Sequence, residues 1–216
     1  MFENREDAAR ELAERLQFLE LRDPLVLAIP RGGIVIGKFV ARELLAELDV
    51  IVVQKLFAPD VPKLAIGAVA EDGSVYLNHW IELVSGIPQA YIEKERQRRL
   101  AETARRSKLF RAVRPAVPID GRSVILADEG VITGATMLAA LQAVKAQKPY
   151  EVIVAVPVGP PDRLKEIRNS CDQTLCVFAP SDFYTIGQFY KSFDTVTDED
   201  VVRILRGFAP VAQPAL

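Results

Sequence analysis

The chain is 216 residues long, half of them hydrophobic and 26% charged, with a formal net charge of −2. That balance fits a globular protein with one generous core and argues against a disordered polymer or a general nucleic-acid binder. No apolar run approaches the roughly eighteen residues of a membrane span, and the charged opening MFENREDAARELAERL is unlike a signal peptide, so a soluble, cytoplasmic, single-domain protein is expected.

Taken in chain order, residues 5 to 20 place Ala9, Leu12, Leu16 and Leu19 at helical spacing and predict an amphipathic helix. Leu25 to Ile29 reads as a strand, Ile34 to Glu47 as a helix with Ile36, Val40 and Leu44 inward, and Val50 to Val53 as a second strand. AIGAVAEDGSVYLN predicts a hairpin turning at Asp72-Gly73. The single histidine, His79, has no evident catalytic partner and is read as structural.

Between Pro88 and Arg114 stand nine Lys and Arg residues against three Glu, with no Gly or Pro between those ends, which predicts a long exposed basic helix. Its apolar face is sparse: Tyr91, Ile92, Leu100, Ala104 and Phe110. Such a helix suits a solvated or dimer-facing position, with a platform for RNA or anions as the lesser reading. Strands follow at Ser123 to Ala127, Val152 to Val156 and Thr174 to Phe178, alternating with helices at Ala135 to Ala146 and Pro161 to Asn169. Cys171 and Cys176, without a second pair or a neighbouring histidine, read as reduced thiols. A tail rich in aromatics runs from Ala179, and the closing APVAQPAL is expected to fray. Apolar strands without alternation need cover on both faces, so the class is α/β, doubly wound around a mainly parallel sheet flanked by helices.

Ligands of such sheets gather beyond the carboxyl ends of the strands, which singles out two loops. The first, PRGG, follows Leu25 to Ile29; read on from Gly32, GGIVIGK falls one residue short of the phosphate loop G-x-x-x-x-G-K-[ST]. VILADE resembles the strand ending in Asp-Glu that partners such a loop, so a P-loop-type triphosphatase is one reading. Phe39, however, stands where a hydroxyl must meet magnesium. Ile34, Val35 and Ile36 are β-branched, ill-suited to an anion nest, and continue through Val40 and Leu44 as a helix face. Gly37 then packs against the sheet and Lys38 faces outward.

The second loop carries more chemistry. Asp128 and Glu129 arrive at a strand end, and Thr133-Gly134-Ala135-Thr136 opens a helix whose first amides can hold a monophosphate. Carboxylates one turn away would repel that phosphate unless a ribose lay between, its hydroxyls donating to the acids. The spacing therefore reads as a ribose 5-phosphate cradle.

VILADEGVITGAT resembles the 5-phosphoribosyl 1-diphosphate (PRPP) motif of type I phosphoribosyltransferases. IPRGG is similar to that family's pyrophosphate loop, VVQK to the basic end of its next strand, and PSDFYTIGQFY to the terminal segment of a bacterial group whose acceptor is unassigned. The resemblance spans roughly Leu19 to Leu205. It implies transfer of the 5-phosphoribosyl group from PRPP to a nucleobase or other nitrogenous acceptor, with pyrophosphate released, by a homodimer with no membrane partner.

Residue by residue, the resemblance implies that Asp128 and Glu129 bind the ribose hydroxyls and that Gly130, Val131, Ile132, Thr133, Gly134, Ala135 and Thr136 wrap the 5′-phosphate. Arg31, Gly32 and Gly33 hold the pyrophosphate across a peptide that is often cis, and Lys55 neutralises the leaving group. Arg31, Lys55, Asp128 and Glu129 form the expected catalytic set. Magnesium is expected to arrive with PRPP, facing Asp128 and Glu129, rather than in a dedicated cage. Phe57 to Asn78 is the expected closing loop, and residues 179–208 a small hood over the acceptor. Phe183, Tyr184, Phe189 and Tyr190 could stack on its ring or pack as core. Two positions depart from the family pattern: the acids are Asp-Glu, and Gln54 precedes Lys55 where arginine is expected. The second keeps open a PRPP-sensing regulator that uses the basic helix as a partner surface.

Overall fold

The computed structural model describes residues 1–59, 65–77 and 86–208. Its elements are α1 (Arg5–Leu16), β1 (Leu25–Ala28), α2 (Gly33–Glu43), β2 (Glu47–Val50), β3 (Val53–Phe57), β4 (Ala65–Ala70) and β5 (Val75–Leu77). They continue as α3 (Gln89–Arg111), β6 (Ser123–Ala127), α4 (Ala135–Lys145), β7 (Glu151–Val158), α5 (Pro161–Arg168), β8 (Gln173–Phe178), a 3-10 turn (Ile186–Phe189) and α6 (Asp198–Arg206).

Five strands form one sheet in the order β2-β1-β6-β7-β8, every neighbouring pair parallel. Successive residues of its inner strands feed opposite cores. Val26, Ala28, Ile125, Ala127, Ile153 and Ala155 pack under α1, α2 and α6, while Leu25, Leu27, Val124, Leu126, Val152 and Val154 pack under α4 and α5. This double cover explains the unbroken apolar runs. The chain leaves β1 toward β2 on one side and builds β7 and β8 from β6 on the other. Order thus reverses between β1 and β6, and the loops after those two strands part to leave a crevice.

A second, antiparallel sheet of β3, β4 and β5 contains the expected hairpin. Gly73 takes φ +85° at its turn, and the Ser74 amide and hydroxyl both donate to Asp72 Oδ1, at 2.9 and 2.6 Å. Leu56, Ile66 and Val69 of this sheet pack with Ile92 of α3 in a small core. The expected closing loop, 57–78, therefore contains two paired strands; its positions 60–64 and Asn78 lie outside the described residues, as do His79 and the terminal APVAQPAL.

Three boundaries correct the sequence reading. The helix expected to reach Glu47 ends at Glu43, because Leu45 turns to φ +51° and the Ala46 amide closes on Ala41 O at 2.8 Å. Glu47 instead begins β2. The run Val50 to Val53 is not one strand: Ile51 N still donates to Ala28 O at 3.1 Å, but from Val53 the chain belongs to the other sheet. The leading helix also stops earlier than residue 20, at Leu16.

The basic helix forms, but it is not a bare strip of cations. Ile92, Glu95, Thr103 and Phe110 are buried and Ala104 is exposed, so its inward face differs from the expected one. Arg98 and Arg99 pair with Glu95 at 2.9 and 2.7 Å. Arg111 joins buried Asp49 (2.6 Å) and Glu71 (3.0 Å), and Arg114 reaches Glu47 at 3.2 Å. Gly37 matches its expected packing role: a Cβ there would lie 2.8 Å from Ala28 Cβ and 3.0 Å from Leu48 Cδ1. Among the described residues no helix is long and apolar enough to cross a membrane.

Candidate active site

The crevice at the sheet's reversal is a cavity of about 440 Å³. A smaller one of about 50 Å³ adjoins it, and Lys55, Asp128, Thr136 and Ile186 line both. Four apolar residues, Val124 to Ala127, carry β6 through the core, so the next polar side chains emerge at the crevice floor. Asp128 Oδ1 accepts the Glu129 amide at 2.9 Å. Burial first, then the neighbouring Glu129 charge, pushes the Asp128 carboxyl well above the usual carboxylate range, with Lys55 opposing.

Glu129 points toward α1. Its Oε1 accepts from Arg5 Nη2 at 3.2 Å and Nε at 3.4 Å, with side-chain exposures of only 10% and 15% for the arginine and the acid. The same guanidinium donates through Nη1 to Asp194 O (2.9 Å) and lies 3.9 Å over the Phe193 ring. Tyr190 Oη donates to Glu129 O at 2.7 Å, anchoring the loop backbone as well.

Beyond the acids, Val131 N donates to Val158 O at 2.9 Å, fixing the loop to the end of β7. Gly134 caps α4 with φ +80°, a conformation that disfavours side chains. The first amides of α4 lack intrahelical acceptors and carry its positive dipole end. Residues Gly130 to Gly134 with Thr136 line the small cavity, and Thr136 Oγ1 is buried there with no hydrogen-bond partner. On the opposite wall the Pro30–Arg31 peptide is cis, and Arg31 and Gly32 line the large cavity. Gly32 lies flat against Glu129: a Cβ would fall 1.5 Å from Glu129 Oε1. Lys55 enters from β3.

The fold thus gathers Arg31, Gly32, Lys55, Asp128, Glu129, Gly130 to Gly134 and Thr136. Gly33 and Ala135 do not line either cavity; each is buried behind it, opening a helix. The four tail aromatics also do not line it. Phe189 and Tyr190 are buried in packing with Phe183, Phe178, Phe2 and Phe193, and Tyr184 is 81% exposed. The tail borders the cavity through Ile186, Thr195 and Val196 instead. Lys38 lies away from both cavities, its ammonium over the Phe39 ring at 4.9 Å, so no triphosphate loop forms.

Two lining cations were missed in the sequence, Arg5 and Arg106. The signal for each was positional. Arg5 sits on the stripe of Ala9, Leu12 and Leu16, and Arg106 on that of Ile92, Thr103 and Phe110, so both fall on buried faces.

The family model described as "Phosphoribosyl transferase domain" matches residues 2–191. This chain belongs to that family. Two proteins from strains of Mycobacterium tuberculosis, each named "Putative phosphoribosyl transferase", are 38% identical to this phosphoribosyl transferase domain over 205 residues, covering 95% of it and 46% of each relative. The chain therefore spans about half the length of those relatives. The crystal structure of TT1426 from Thermus thermophilus is 41% identical, with a TM-score of 0.83 over 96% of this chain and 99% of that one. The AQ2163 protein from Aquifex aeolicus shares the fold at 12% identity, with a TM-score of 0.51 over 80% and 71% of the two chains. The phosphoribosyl transferase domain thus has the doubly wound fold expected of the type I family, and the small antiparallel sheet is its added layer.

Proposed function

We propose that this domain transfers the 5-phosphoribosyl group of PRPP to a nitrogenous acceptor and releases pyrophosphate. One adjacency supports the reading above all. A buried, partnerless Thr136 hydroxyl at a helix N-terminus stands beside the Asp128 carboxyl, in a small cavity that adjoins a larger one lined by Arg31 and Lys55. A monophosphate, a diol and a diphosphate are what those three places bind in turn.

In this reading Thr133, Thr136 and the first α4 amides hold the 5′-phosphate, and Asp128 and Glu129 accept the ribose hydroxyls. Arg31, Lys55 and the Gly32 backbone receive the negative charge that grows on pyrophosphate as the anomeric C–O bond breaks. The carboxylates stabilise the positive charge left on the sugar until the acceptor nitrogen bonds to it. Among the described residues no three His, Cys, Asp or Glu side chains gather into a metal cage. Asp128 and Glu129 suit magnesium whose other ligands come with the substrate, and that ion would add positive charge beside the diphosphate.

PRPP with magnesium and a panel of bases is expected to release pyrophosphate. If PRPP neither raises the melting temperature nor yields pyrophosphate with any base, the reading fails. A non-catalytic PRPP sensor is favoured by one feature, the engagement of Glu129 by Arg5, and would show the thermal shift without turnover. Thr136→Val gives a finer check. Because Oγ1 has no protein partner to lose, the ligand-free melting temperature should stay level or rise slightly, while PRPP binding weakens about tenfold in calorimetry.

A further inference from the structure

Among the described residues, four line both cavities: Lys55, Asp128, Thr136 and Ile186. The reading above gives three of them a task, at the leaving group, the ribose and the 5′-phosphate. Ile186 has none. It is the one of the four whose side chain can neither donate nor accept a hydrogen bond, and it comes from the tail rather than from β3, the β6 loop or α4. A sugar that joins a phosphate in the small cavity to a diphosphate in the large one must pass the place where the two cavities meet. Ile186 stands on that border.

The side chain is held firmly there. Ile186 opens the 3-10 turn, whose ends are tied by a reciprocal cap: the Thr185 hydroxyl accepts from the Gln188 amide, and Gln188 Oε1 accepts from the Thr185 and Tyr184 amides, each at 2.9 Å. Gln188 Nε2 donates in turn to Asp182 O at 3.1 Å. The inner part of Ile186 packs on the core beneath α1, α2 and α6. Across the border it meets the loop after β6 at Gly130, where a Cβ would lie 3.3 Å from Ile186 Cγ1 and 2.6 Å from Val158 Cγ2. Gly130 thus lets the loop that carries the two acids run close to an apolar side chain. Because isoleucine offers water no hydrogen bond, a fixed one at this border turns a dry face to whatever occupies the junction.

From this placement we infer that Ile186 shields the anomeric carbon from water, so that PRPP waits for its acceptor instead of being hydrolysed. The inference rests on the transferase reading and deepens it, by assigning a residue to the choice between two nucleophiles. In the side reaction a water oxygen bonds to the anomeric carbon as the C–O bond to pyrophosphate breaks. Pyrophosphate leaves with the electron pair, ribose 5-phosphate forms, and the water gives up a proton to solvent. The sugar is most open to this attack while positive charge develops on it, the moment at which the carboxylates and cations of the site act. Keeping water out at that point suppresses hydrolysis and removes no contact that the transfer needs.

The test uses PRPP and magnesium with no acceptor and follows ribose 5-phosphate and pyrophosphate together, with the PRPP-induced shift in melting temperature measured alongside. Ile186→Ala should raise hydrolysis about tenfold over the parent, while the dissociation constant for PRPP changes less than about threefold, since no polar contact is lost. Ile186→Leu, of equal volume, should stay close to the parent rate, and Ile186→Val, one methylene smaller, should fall between, so a folding defect in the alanine variant would not decide the matter. A role in packing alone would lower the melting temperature along the series and leave hydrolysis per folded molecule unmoved. Hydrolysis that is equal or slower in both Ile186→Ala and Ile186→Val, with the PRPP thermal shift present, overturns the inference alone, since the transferase reading stands on pyrophosphate release with a base. Absence of a thermal shift in the parent, together with no pyrophosphate from any base, overturns both.

Discussion

Asp128→Asn is expected to reduce pyrophosphate release on the order of 10²-fold, because it removes the buried carboxylate that would face both the ribose and the positive charge developing on it. Stability should move the other way. The folded protein holds the Asp128 proton above the ordinary carboxylate pKa of about 4. A raised acid contributes stability that is present below the unfolded value and lost as pH rises through the folded one. Denaturant midpoints of the ligand-free protein should therefore decline from about pH 4 upward across that window, and Asp128→Asn should flatten the decline. A variant that is less active, no less stable at neutral pH and flatter in its pH profile is the expected combination. If the substitution instead left turnover unchanged, Asp128 would have no part in the reaction.

Arg5→Gln should be the most damaging single change to the scaffold of the site. Both partners of the Arg5–Glu129 pair are largely shielded, so removing the cation leaves a carboxylate unpaired against the Gly32 backbone and frees Asp194 O as well. The cost should be about 2 to 3 kcal/mol in chemical denaturation. In the proposed transferase Arg5 would act through Glu129, as a positioning residue, and kinetics can separate that role from simple support. Turnover should fall further than the KM for PRPP rises, and Arg5→Lys should restore part of the loss. A stability loss with unchanged kinetics would reduce Arg5 to a structural tie.

The contrast between Asp128 and Arg5 also shows what can be read from a sequence. The β6 loop was legible because its chemistry is contiguous: an apolar strand, two acids, a spacer and a Thr-Gly-Ala-Thr helix start lie in one run of thirteen residues, Val124 to Thr136. Local geometry then follows from local sequence. Arg5 and Arg106 were not legible in the same way, since their partners lie far along the chain; only their places on buried helical stripes gave them away. The exchange of sheets near Val50 to Val53 was hidden for a different reason. Hydrophobicity marks burial, and both sheets bury their strands, so nothing in four apolar residues announces that the chain has changed neighbours. The tail aromatics carried the opposite ambiguity. Phe189 and Tyr190 could have stacked on a ligand or on other rings of the chain; Phe178 and Phe183 take the first, Phe2 and Phe193 the second.

The contact between Arg5 and Asp194 O closes a loop across a sequence separation of 189 residues. It is reinforced where Lys191 N donates to Phe2 O at 2.9 Å and Ser192 N to Glu3 O at 2.9 Å. Contacts so distant along the chain bring a large loop-closure entropy and form late. The sheets and α1 can therefore assemble first, and Asp194 O and the Phe193 ring close over the Arg5 guanidinium in a later step.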